Sequence, residues 1–247
     1  MTSSNEARSA LALVLGLTAA SANVLGGYFV VRREWPRQFL KYFLALGAGF
    51  MLATAFVEIL PESLRLAGEP AMFLVLGGIF LVHLFEHTLA PHFHFGEETH
   101  HDEMSHHHAG VTALLGLVIH TFFDGVAIAA GFLVSTWLGG VIFLAVFLHK
   151  LPEGFTVASL MLASGSSRRT AFLASVALGA ATLAGVLLMN LLRGHVGYAL
   201  PVSGGVTIYV AAADLLPEVN REPGARMALM VFLGGLILLG LHFWLHA

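Results

Sequence analysis

Eight separate stretches of roughly 20 apolar residues run along this chain, and a length of that kind is what a helix needs to cross a bilayer. They fall at about 10–31, 38–60, 71–90, 111–134, 137–163, 170–192, 197–216 and 226–245. Only 11% of the residues are charged, against about 25% in a soluble domain. The period-2 alternation of a barrel strand is missing. The expected fold is therefore an all-α integral membrane protein, a single transmembrane domain over 1–247. The first stretch, Leu11–Ala22, ends in Ala20-Ser21-Ala22 like a secretory signal. Its apolar run continues to Val31, which favours a retained helix.

Orientation follows from Lys and Arg near the span ends. The first, fifth and seventh connections hold Arg32, Arg33, Arg37, Lys41, Arg168, Arg169, Arg221 and Arg226, and the opposite side has only Arg8, Arg65 and Arg193. This asymmetry predicts a multi-pass protein of the cell membrane with both termini outside.

Two internal repeats sharpen the reading. Glu58-Ile59-Leu60-Pro61-Glu62 and Asp214-Leu215-Leu216-Pro217-Glu218 both read acid-x-Leu-Pro-Glu, and each is followed by a glycine pair, Gly77-Gly78 or Gly234-Gly235. The two segments are expected to end spans two and seven, which cross in opposite directions. Spans one to three and six to eight thus read as inverted repeats around a central pair, a 3+2+3 arrangement of the kind transporters use. The second repeat lies in that central pair: His120-x-x-x-Asp124-Gly125 in span four and His149-x-x-x-Glu153-Gly154 in span five.

Residues four apart share a helix face, so each motif offers an imidazole and a carboxylate together. Carboxylates are costly in hydrocarbon, and a bound dication offsets them. Two imidazoles and two carboxylates suit Zn²⁺, and nearly as well Fe²⁺, Mn²⁺ or Cd²⁺. A hydrogen-bonded polar seam is the bland alternative, and the duplication argues for metal. Pro152 disturbs the helix beside His149, where the freed carbonyl of Leu148 needs a partner. With no cysteine in the chain, disulfides and thiolate metal sites are excluded.

In these motifs, the eight spans and the His-rich segment after span three, the chain resembles the ZIP (Zrt/Irt-like) family of divalent-metal transporters, of the prokaryotic type. The resemblance covers essentially the whole sequence. It implies that His120, Asp124, His149 and Glu153 form the central transport site, that Met51 lines it, and that Glu58 serves metal entry. Thr121 and Lys150 depart from the two-metal version of the family, whose members carry polar or acidic ligands there, and span six, Thr170–Leu192, has no acid. One metal is expected.

The segment 91–110 carries His92, His94, His100, His101, His106, His107 and His108 with four acids and no Lys or Arg. It reads as a cytoplasmic loop that captures emerging metal. His83 and His87 are read as part of an exit route, and His242 and His246 as lying at an interface. The expected partners are divalent metal ions and the lipid bilayer, with a homodimer left open. No nucleic acid and no resident cofactor is expected, since the metal is cargo. The expected function is zinc uptake toward the cytoplasm, and no enzymatic activity. The alternative is an intramembrane zinc-dependent hydrolase, although the His-Glu-x-x-His pattern is missing.

Overall fold

The computed structural model describes residues 2–32, 37–89, 107–221 and 224–246. They are helical apart from short turns, with no strand among the described residues. Eight helices are long and apolar enough to cross a membrane: Glu6–Arg32, Lys41–Ala67, Pro70–Thr88, Leu114–Val134, Thr136–Leu162, Arg168–Leu191, Arg193–Leu215 and Ala225–Trp244. Eight crossings return the chain to its starting side, so both termini share one end of the bundle.

Most of the 91–110 segment lies outside the described residues, so its reading as a loop goes no further here. Its last part departs from that reading, because the helix of span four already begins at His107. The first span packs into the bundle: a side chain at Gly26 would strike the Leu151 carbonyl of span five.

The acid-x-Leu-Pro-Glu motif ends span seven at Leu215, as the sequence suggested, with only a short helix Leu216–Asn220 beyond it, whereas span two runs past its proline. In span two the helix widens into a π-turn over Ala55–Ile59 and continues through Pro61 to Ala67. Span seven repeats the widening, with a π-turn over Val210–Leu215 before Pro217. Proline removes one amide donor and crowds the carbonyl four residues back. A wider turn just ahead of it relieves that conflict, and such turns recur at functional sites.

Close backbone contact fixes how the spans pair. A Cβ at Gly49 or Gly234 would lie 1.9 or 2.1 Å from the carbonyl oxygen of Val231 or Leu46, which locks span two to span eight. At Gly205 and Gly78 it would lie 2.0 and 2.1 Å from the carbonyls of Val75 and Val202, which locks span seven to span three. One constant shift along the chain converts the first set into the second. Likewise Gly26 and Gly154 meet Leu151 and Asn23 between spans one and five, and Gly185 and Gly125 meet Phe122 and Thr182 between spans six and four. Small residues that let backbones touch are how helices associate where lipid is as apolar as the partner. Both halves thus use the same contacts in reverse direction, as an inverted repeat requires. Spans three and eight lie at the periphery, with only 22% and 17% of their apolar windows buried; spans four and five sit at the centre.

Candidate metal centre

The two central helices bring their motif faces together. His120 and Asp124 from span four and His149 and Glu153 from span five are all buried, and one potential ligand atom from each lies within 4.8 Å of the others. Asp124 Oδ2 is the hub, 3.2 Å from His120 Nε2 and 3.3 Å from His149 Nε2. The Nδ1 of His149 lies 3.0 Å from the Ala145 carbonyl. A carbonyl only accepts, so Nδ1 carries a proton, and Nε2 faces Asp124. Backbone orientation of this kind is typical of a metal-binding imidazole. His120 Nδ1 is buried without a partner.

Lys150 is fully buried at the same place. Its Nζ lies 2.5 Å from Asp124 Oδ2, 2.5 Å from Glu153 Oε2 and 3.2 Å from Thr121 Oγ1. Thr121 donates in turn to the other oxygen of Glu153. Charge at the centre is thereby divided. The imidazoles lie against Asp124, and the ammonium lies beside Glu153, Asp124 and Thr121.

Glu58 does not join this convergence. Met51 is fully buried in the core. Glu58 lies toward the end that carries the termini, where His242 and Trp137 contact its two oxygens. His242, expected at an interface, is therefore turned onto a carboxylate of the bundle. Nothing is described of the side chain of His246.

Beside three of the four residues, toward the opposite end, lies a narrow cavity of about 10 Å³, room for about one water. Its lining includes His120, His149 and Glu153 at one side and Glu86 and Asp214 at the other. Tyr209 donates to Glu86 at 2.8 Å and lies 3.4 Å from His83 Nδ1, and the His83 and His87 rings stack with centroids 4.1 Å apart. His83 thus lies beside the acids at the cavity's far side. Those acids were missed by sequence reasoning as parts of a site, although a signal existed: Asp214 repeats Glu58, and Glu86 is one residue from His87.

The comparisons agree with this picture. The family model described as ZIP Zinc transporter matches residues 8–113 and 96–242. The chain is 28% identical to zinc transporter zipt-7.1 of Caenorhabditis briggsae, over 88% of this chain and 73% of that one. It is 25% identical to zinc transporter ZIP9-B of Xenopus laevis over 84% of each chain, and 38% identical to human zinc transporter ZIP5 over 62% of this chain and 28% of that one. With nearly its whole length matched and its two histidine–acid motifs converged at the centre of eight spans, the chain belongs to the ZIP zinc transporter family.

Proposed function

We propose that this protein carries zinc across the cell membrane toward the cytoplasm, one ion at a time, through His120, Asp124, His149 and Glu153. The observation that carries this reading is the convergence of four buried ligand groups within 4.8 Å, half from each central helix. Two neutral imidazoles and two carboxylates suit a four-coordinate dication, and Fe²⁺, Mn²⁺ or Cd²⁺ are its nearest competitors. The ammonium of Lys150 neutralises part of the carboxylate charge while no ion is bound, and repels a second dication.

Positive residues concentrate on the side opposite the termini, which makes that side cytoplasmic and the termini extracellular. The cavity then lies inward of the centre, so that Asp214 and Glu86 receive an ion leaving it. The hydrolase alternative uses the same ligands; family membership and the inverted repeat favour transport.

The test is uptake of zinc by purified protein in proteoliposomes. Substituting Asp124→Ala with Glu153→Ala should reduce uptake at least about 100-fold in protein that still inserts and purifies normally. Unchanged uptake in that double variant would eliminate the proposed site.

A further inference from the structure

Spans one and six reach the end opposite the termini side by side, and both reach it on arginine. Arg32 is the last residue of span one and Arg168 the first of span six. Arg168 Nη1 donates to the Val31 carbonyl at 3.4 Å, which seats the start of span six beside Arg32. Ser167 fixes that start, its side chain accepting from the Thr170 amide at 3.1 Å, and Arg169 follows in the same turn. All three arginines are exposed, and among the described residues none has a carboxylate partner. At the other end, by contrast, Arg65 is paired with Glu62.

This placement costs electrostatic energy. The N-terminus of a helix carries a positive partial charge, which favours acids in the first turn and disfavours cations. Span six has no acid in its first turn and begins with two arginines. Arg32 suits the negative end of its own helix, yet it adds a third positive charge to the same place. An anion held among the three offsets that repulsion, and guanidinium groups offer phosphate oxygens paired, planar N–H donors.

The surroundings say which anion. Tyr28, one turn before Arg32, is 42% exposed, and the Arg32 guanidinium lies over its ring, 5.4 Å from the centroid. Deeper along the same two helices Leu25 and Leu173 are exposed as well. A tyrosine and arginines at the edge of an apolar surface mark the headgroup level of a bilayer. Basic pockets between spans at the cytoplasmic face take anionic lipid heads. A free anion gains nothing from the exposed leucines, whereas acyl chains below a headgroup cover them.

We propose that Arg32, Arg168 and Arg169 hold the phosphodiester of an anionic phospholipid, whose acyl chains lie along spans one and six past Tyr28, Leu25 and Leu173. The site goes beyond the transport reading and uses none of the four central residues. Each of these spans is locked to a central helix, Gly26 against Leu151 of span five and Gly185 against Phe122 of span four. A lipid that bridges their ends therefore braces the spans around the central pair, and its binding registers as stability.

The test is to titrate the full-length protein in maltoside micelles with phosphatidylglycerol or with zwitterionic phosphatidylcholine. Native mass spectrometry counts the bound lipid, and thermal unfolding reads its effect. Phosphatidylglycerol should be retained at one molecule per chain and raise the unfolding midpoint; phosphatidylcholine should do neither. Arg32→Gln with Arg169→Gln leaves Arg168 on the Val31 carbonyl. It should weaken retention about thirtyfold, roughly a factor of five for each charge removed. Arg221→Gln with Arg226→Gln removes as much charge elsewhere at the same end and should leave retention unchanged. Equal retention of the two lipids, an equal loss in the Arg221 and Arg226 pair, or the same midpoint rise with inorganic phosphate alone would overturn the proposal. So would phosphatidylglycerol binding that appears only once Glu97, Glu98, Asp102 and Glu103 are replaced by glutamine, because the chain's own acidic segment would then be the occupant.

Discussion

The two ends of the bundle are built on one plan and furnished differently. Each has a π-turn, an acid within it and a Leu-Pro step just after: Glu58 before Pro61, Asp214 before Pro217. The shift that maps Glu58 onto Asp214 also maps Glu86 onto His242. At the termini end the acid therefore meets an imidazole and an indole, and a hydrogen-bonded knot forms. At the opposite end two acids line one cavity that reaches the central site. At the outer end both oxygens of the acid are engaged by other spans, whereas at the inner end Glu86 accepts from Tyr209 and still shares the cavity wall with Asp214. The exchange of one partner residue has left a bonded acid at one end of the repeated scaffold and an acid-lined cavity at the other.

The largest expected effect comes from breaking the plan itself. Gly125→Leu and Gly154→Leu would each force a side chain against a carbonyl oxygen of the neighbouring helix, 1.9 and 2.0 Å from the new Cβ. Each should cost about 3 kcal/mol or more, and by similar amounts, read as a fall in the thermal unfolding midpoint in detergent. A large loss at one position and none at the other would deny the symmetry.

Exchanging the furnishing comes next. Glu86→His gives the inner end the partner that the outer end has, and should slow zinc uptake about tenfold by pairing with Asp214. Glu86→Gln, which removes the charge without adding a basic partner, should slow it less. Initial rates in proteoliposomes decide between them, and equal rates would show that pairing is irrelevant.

The smallest effect is a count. With the histidines of 91–110 replaced, equilibrium dialysis should find one tightly held zinc per chain, because the Lys150 ammonium already sits between Asp124 and Glu153. Lys150→Asp should move the number toward two. Two tight equivalents in the parent would contradict the role given to the lysine.

Much of this was legible in the sequence, and the gaps share one cause. Periodicity tells which residues share a helix face, so His120 with Asp124 and His149 with Glu153 could be paired in advance. It does not tell which distant helix that face meets. Lipid and core are both apolar, so a membrane helix shows little asymmetry to indicate its rotation. His242 could be assigned to an interface for that reason, and its contact with Glu58, far away in the chain, could not be read. Glu86 was hidden in the same way beside a more conspicuous histidine pair. The proline of span two misled differently. A proline inside an apolar run reads as a helix end, and the π-turn that lets span two continue leaves no mark in residue type.

The glycine contacts also determine where the molecule is stiff and where it can slip. Every approach that would put a new Cβ within 3 Å of another span joins spans one, four, five and six to one another, or spans two, three, seven and eight. Across the seam between these groups the nearest such approach among the described glycines is 3.5 Å, at Gly47 against Leu148, an ordinary side-chain contact. Two closely packed plates, one holding all four candidate ligands, meet along a softer plane, and sliding along such a plane is the cheapest large movement a packed bundle allows. The hydrogen bond from Trp137 to Glu58 crosses that plane, so it works as a shear pin.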